Sequence, residues 1–339
     1  MLLREFSYEL PERAIAQQPL AERDQARLLR GGVGARVEHR RVADLPDLLK
    51  AGDVVVVNDA RVLPARMKLL KATGGEVEVL ALRPLGENAW EALVRPSRKV
   101  APMSVLYLED RSPVLRVGEK LPDGKREIFP VGDETLEDIM SRAGQVPLPP
   151  YIHTPLEDSE RYQSVYAKDA TAAAAPTAGL HLSQKVLDRL AEKNIAVYAL
   201  NLAVGLGTFR PITEDDIADH LIHSEQYHIP EETWQACLAA KQQGGRVVAI
   251  GTTVVRALET AHCRADFNPL HGDSDLYITP GFRFAMVDVL MTNFHLPHST
   301  LLVLLSAFMG PGWRELYEIA LAENYRFLSF GDAMLVERQ

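Results

Sequence analysis

An imidazole whose unperturbed pKa is about 6.5 can move protons at neutral pH, and a threonine hydroxyl can bond a ribose. Both groups occur in Ala174-Ala175-Pro176-Thr177-Ala178-Gly179-Leu180-His181, where small residues and Gly179 let a ligand approach the backbone. His181 is thus a candidate for proton transfer and Thr177 for a ribose contact. A packed loop with a hydrogen-bonded histidine fits the same residues.

Other segments invite similar chemistry. Val204-Gly205-Leu206-Gly207-Thr208-Phe209 starts like a dinucleotide fingerprint, but Arg210 stands where the third glycine belongs and no helix follows directly. It reads better as a glycine-rich ligand turn, with Gly205, Gly207 and Thr208 as contacts. Gly251-Thr252-Thr253 offers amide hydrogens and hydroxyls to a carboxylate or hydroxyl, and Arg256 lies one turn on, where a surface ion pair is its other role. Asn293 and His295 follow an apolar run within reach of one sheet edge. Arg326 and Asp332 sit in an aromatic stretch that also reads as a closing strand with a turn. His220, His223, Glu225 and His228 suggest a metal, yet two-residue offsets in an irregular segment do not set coordination geometry. No metal is expected, and His223 and Glu225 are read as hydrogen-bonding or acid–base groups.

These residues need elements to hold them. The β-branched run 54–57 reads as a strand buried on both faces, ending at Asn58-Asp59. From 68 to 129 short alternating runs at 76–80, 90–94, 105–108, 114–117 and 126–129 are separated by turn signals, the texture of a small antiparallel barrel. Val146-Pro147-Leu148-Pro149-Pro150 forms an extended linker. Beyond it helices and strands alternate. Ser183 caps a helix with Val186, Leu187 and Leu190 on one face, and 195–202 is a strand. Pro230 opens a helix with the stripe Trp234, Cys237, Leu238 and Lys241, then come a strand at 246–250 and a helix at 252–261. A strand at 287–291 and helices at 300–308 and 314–324 complete the pattern. The expected fold is mixed α/β: a large α/β domain of residues 1–64 and 150–339 with a mixed sheet, and an inserted antiparallel β-barrel of residues 65–149.

Composition excludes several classes. With 339 residues, 47% apolar and 24% charged, the chain can bury a core without staples. Cys237 and Cys263 form no framework and suit a reducing compartment. The N-terminus does not read as a signal peptide, and 299–309 is too short for a membrane span of about 20 residues, so a cytoplasmic place is expected. The net charge of −9 falls wholly on 150–339, since 1–64 and 65–149 each balance. Any nucleic-acid contact must then use local clusters, Arg61, Arg66, Lys68 and Lys71, or Arg95, Arg98 and Lys99; solvated faces are their other reading.

Taken in order, "FSYELPERAIAQQP", "VVNDARVLPARM", "TGGEVEVL", "VPLPPYI", "RYQSVYA", "AAPTAGLHL", "VGLGTF", "HLIHSEQY", "AIGTTVVRALE", "TNFHLPHSTL" and "YRFLSFGDAM" resemble the S-adenosylmethionine:tRNA ribosyltransferase-isomerases of queuosine biosynthesis, from near residue 6 to near 334. The family pattern is broken at Ala203, where a histidine is usual, and at Leu206, Thr171 and Ala60.

The resemblance implies a monomeric enzyme without a metal. It moves and isomerises the ribosyl part of S-adenosylmethionine onto the aminomethyl nitrogen of 7-aminomethyl-7-deazaguanine in tRNA. Adenine and methionine leave, and the product is epoxyqueuosine. A carbon beside a sulfonium is acidic, which suits His181 as base; His295 would protonate departing adenine, and Glu225 or Asp332 would accept from the deazaguanine edge. Thr177, Gly179, Gly205, Gly207, Thr208, His223, Thr252, Arg256, Asn293, Arg326 and Asp332 are the expected substrate contacts. Arg61, Arg66, Arg95, Arg98 and Lys99 would meet tRNA. An S-adenosylmethionine-dependent RNA methyltransferase is the competing enzyme class. A tRNA-binding homologue with an impaired site is the third possibility, motivated by Ala203.

Overall fold

A run of valines ending in asparagine dictates the central strand. Val54–Asn58 is extended with all five residues buried. The computed structural model describes residues 1–32, 36–86, 88–205, 211–264 and 270–339. The chain forms two units, one of 1–61, 150–169 and 175–339, the other of 62–149 and 170–174.

In the larger unit, nine strands follow the order His271–Ser274, Glu225–His228, Ala196–Leu202, Val54–Asn58, Val247–Ile250, Val289–Asn293, Ala333–Glu337, Arg27–Gly31 and Glu38–Arg41. The four strands from Ala196–Leu202 to Val289–Asn293 run parallel to their neighbours among themselves, and Ala333–Glu337 reverses direction. Mixed pairing was expected; Arg27–Gly31 and the edge strand Glu38–Arg41 were not read, because they carry too many charges to show a strand pattern.

Val55, Val57, Val248, Ile250, Val289 and Met291 pack with Leu182, Val186 and Leu190 in one core. Their alternates Val54, Val56, Val247 and Ala249 are also buried, and helices Glu231–Gln242 and Thr252–Cys263 pack on these strands. Both faces are therefore covered, which is why the strands lack polar alternation. Ser183 caps the Gln184–Glu192 helix by accepting from Val186 N–H at 3.3 Å. The 231–242 helix buries Thr233, Cys237 and Ala240 instead of the Trp234–Leu238 side of the expected stripe.

In the smaller unit, Arg66–Lys71, Glu76–Gly86, Ala89–Arg95, Arg126–Pro130, Pro113–Lys120 and Val105–Tyr107 pair in that order, and the last returns to the first. Closure leaves these six antiparallel strands as a barrel without an open edge. Its interior holds Met67, Leu69, Val79, Val94, Leu115 and Ile128.

Candidate active site

The carboxyl ends of parallel strands are where open α/β sheets bind ligands. Here Val289–Asn293 ends on a side chain whose every polar atom is engaged. Asn293 Oδ1 accepts from Thr177 Oγ1 at 2.9 Å, while its Nδ2 donates to the Leu328 carbonyl at 3.1 Å and meets His181 Nε2 at 3.0 Å. Thr177 and His181 are the two ends of one 3-10 turn. Gly179 lies between them, and a Cβ there would stand 2.2 Å from the Tyr166 hydroxyl, so any larger residue would push that side chain aside. Leu328 itself sits at φ 69°, a left-handed conformation that costs a branched residue about 1–2 kcal/mol. Burial, then Arg326 and Arg23, lower the His181 pKa to about 4, so the ring is neutral at pH 7.

A second cluster is ionic. Arg256 Nη1 donates to Glu225 Oε2 at 2.6 Å, and its other nitrogens reach the carbonyls of His223 (2.8 Å), Ser274 (2.7 Å) and Leu276 (3.2 Å). Glu225 Oε1 accepts the Gly205 N–H at 2.8 Å. The pair thus joins a helix, two strands and Gly205. Arg256 is a buried clamp here and not a surface pair. Glu225 belongs to a strand in which it and Tyr227 are buried while Gln226 and His228 are exposed. That alternation sends Glu225 and His228 to opposite faces, and no group of three or more metal-capable side chains gathers among the described residues.

Thr252 opens its helix after Gly251, whose φ of 99° requires glycine at the strand-to-helix turn. A cavity of about 40 Å³ beside it is lined by Thr252, Thr253, Arg256, His223, Tyr277 and Leu304, among others. Thr253 Oγ1 and the Tyr277 hydroxyl are buried there without partners among the described residues. Burial, with Glu214 adding to it, pushes the Tyr277 hydroxyl up to about 12. Thr253 was read from sequence only as part of the Gly251-Thr252-Thr253 turn that offers hydroxyls to a carboxylate, and Tyr277 was not read at all.

His295 and Asp332 are held elsewhere. His295 Nε2 lies 3.1 Å from Thr292 Oγ1, its N–H donates to Tyr317 Oη at 2.8 Å, and its carbonyl accepts from Tyr8. Burial lowers its pKa to about 3. Asp332 accepts the N–H groups of Arg27 and Arg326, each at 2.8 Å, and so ties its turn to the Arg27–Gly31 strand; burial raises its pKa. Arg326 donates to the Gln18 carbonyl. Gly207 and Thr208 lie outside the described residues.

Among the basic candidates, Arg61 pairs with Glu160, and Arg66 lies 4.0 Å from Glu78. On the barrel, Arg95, Arg98 and Lys99 are exposed on the end of a strand and the 3-10 turn after it, with no carboxylate partner among the described residues.

Fold and site together define a two-unit α/β protein with a sheet-edge polar site and a closed barrel. Residues 3–336 match the family model described as "Queuosine biosynthesis protein", and the chain belongs to that family. It is 44% identical to the S-adenosylmethionine:tRNA ribosyltransferase-isomerase of Natranaerobius thermophilus and 46% identical to that of Symbiobacterium thermophilum, over 99% of this chain and 100% of each relative. The crystal structure of S-adenosylmethionine tRNA ribosyltransferase from Thermotoga maritima is similar with a TM-score of 0.56 and 33% identity, covering 98% of this chain and 99% of that one.

Proposed function

We propose that this chain transfers and isomerises the ribosyl group of S-adenosylmethionine onto 7-aminomethyl-7-deazaguanine in tRNA, releasing adenine and methionine. The observation that carries the proposal is end-to-end likeness to enzymes bearing that name, at 44% and 46% identity. The geometry supports the sheet edge as the site. Thr177 and His181 would face the ribosyl group, and the first turn of the 252–263 helix, with the Thr253 hydroxyl, suits the carboxylate of the methionine part. Glu225 and Asp332 have oxygens committed to N–H partners, which supports positioning roles for both. Arg95, Arg98 and Lys99 are suited to phosphate. Thr177, His181 and Asn293 come from one chain, so a monomer suffices, and tRNA as substrate puts the work in the cytoplasm. Among the described residues no helix is long and apolar enough to cross a membrane.

Incubation with S-adenosylmethionine and tRNA bearing the aminomethyl-deazaguanine is expected to yield adenine and methionine in equal amounts. S-adenosylhomocysteine without adenine would establish the methyltransferase instead, and tRNA binding without turnover would establish a binding protein.

A further inference from the structure

We infer that Asn293 is a positioning residue that holds His181 in the Nδ1–H tautomer, so that His181 serves the reaction as a neutral hydrogen-bond donor and not as its base. The inference rests on the proposed function for the identity of the reaction, but its structural half stands on three contacts. A backbone carbonyl only accepts. The Asn293 atom facing the Leu328 carbonyl at 3.1 Å must therefore be the amide nitrogen, and the oxygen must face Thr177, whose hydroxyl donates to it at 2.9 Å. With the amide locked in this sense, the same nitrogen is what His181 Nε2 meets at 3.0 Å. Nε2 has to accept, and the single proton of the neutral ring is left on Nδ1.

Two features reinforce the lock. The Leu328 carbonyl also accepts the Gly331 N–H at 2.9 Å, which fixes its direction. Leu328 holds its left-handed φ beside this contact, and backbone strain of that kind gathers at functional sites. Nδ1 has no hydrogen-bond partner among the described residues, so the donor left over is available to a ligand. Burial, then the nearby cations Arg326 and Arg23, oppose protonation of the ring and favour the neutral form. A neutral imidazole cannot release a full proton to adenine at useful rates, but it can stabilise charge developing on a ribosyl oxygen or on the leaving base, as preorganised donors do. His181 would touch substrate through Nδ1–H, and Asn293 acts through the two side chains it holds, His181 and Thr177.

The test is nitrogen NMR on the full chain labelled with 15N-histidine, the His181 signals being assigned by their loss in His181→Gln. At pH 7 a pyrrole-type Nδ1 and a pyridine-type Nε2 are expected; a protonated Nε2 would overturn the inference. Asn293→Asp, which cannot donate to Nε2, is expected to move the proton to Nε2 and to cut turnover on the order of 10²-fold or more. An Asn293→Asp protein that keeps Nδ1–H and its rate would also overturn it. If that variant does not fold, the wild-type spectrum alone decides the tautomer. The proposed function fails separately: a wild-type protein with Nδ1–H that releases no adenine overturns the enzymatic reading and leaves the tautomer standing. Adenine release by a protein with protonated Nε2 overturns only the inference drawn from Asn293.

Discussion

At the scale of single residues, two histidines are kept neutral by their surroundings. His181 and His295 have pKa values lowered to about 4 and about 3 from an ordinary 6.5, in both cases first by burial. In the unfolded chain each takes up a proton as pH falls through about 6.5, whereas in the folded protein it does so only near its lowered value. Between those limits the unfolded state binds more protons, so stability is full above pH 6.5 and declines on acidification. By pH 5 the two together should have cost on the order of 4 kcal/mol. The melting temperature is accordingly expected to fall between pH 7 and pH 5. His295→Gln should remove about half of that fall, whatever it does to stability at pH 7. An equal fall in the variant would show that other groups carry the acid sensitivity.

Elements are joined by the Arg256–Glu225 pair, which binds the 252–263 helix to strands 225–228 and 271–274 and to Gly205. Both partners are buried, and removing one leaves the other charge unpaired away from water. Arg256→Met is therefore expected to lose about 3–5 kcal/mol of unfolding free energy, and Glu225→Gln to lose stability as well. The double variant should lose clearly less than the sum of the singles, because no charge is then stranded. Urea unfolding of the four proteins measures the cycle. Strict additivity would mean that the pair is not coupled.

For the whole molecule, a net charge of −9 makes tRNA binding depend on local basic groups. Arg61 is neutralised by Glu160, while Arg95, Arg98 and Lys99 stand exposed on the barrel without carboxylates among the described residues. Replacing those three by alanine should weaken tRNA binding and flatten the plot of log affinity against log salt by about 0.7–0.9 per lost phosphate contact. Arg61→Ala should change the slope little. Titrations at several potassium chloride concentrations compare the two, and an unchanged slope in the triple variant would return the barrel group to an ordinary solvated surface.

What the sequence determines by itself is set by local periodicity and by long motifs. The valine run at 54–57, the Ser183 cap and the short alternating runs of 76–129 specify their elements, because burial on one or both faces dictates residue type at fixed spacing. The eleven ordered segments point to the family for the same reason that a full-length likeness is specific. Charged edge strands such as Glu38–Arg41 were illegible, since half their surroundings are water and no pattern is imposed. Tertiary structure alone decided which polar groups meet. His181 and Asn293 are 112 residues apart, and Arg256 and Glu225 are 31 apart, so nothing local marks either pair. Glu225 and Asp332 read as acceptors for a deazaguanine edge; only pairing put Glu225 in a strand against Arg256 and brought the two Asp332 oxygens to backbone N–H groups. The sense of a proton on His181 lies further still from the sequence. It follows from a carbonyl at Leu328 that can only accept, and a carbonyl's direction is a property of the folded backbone.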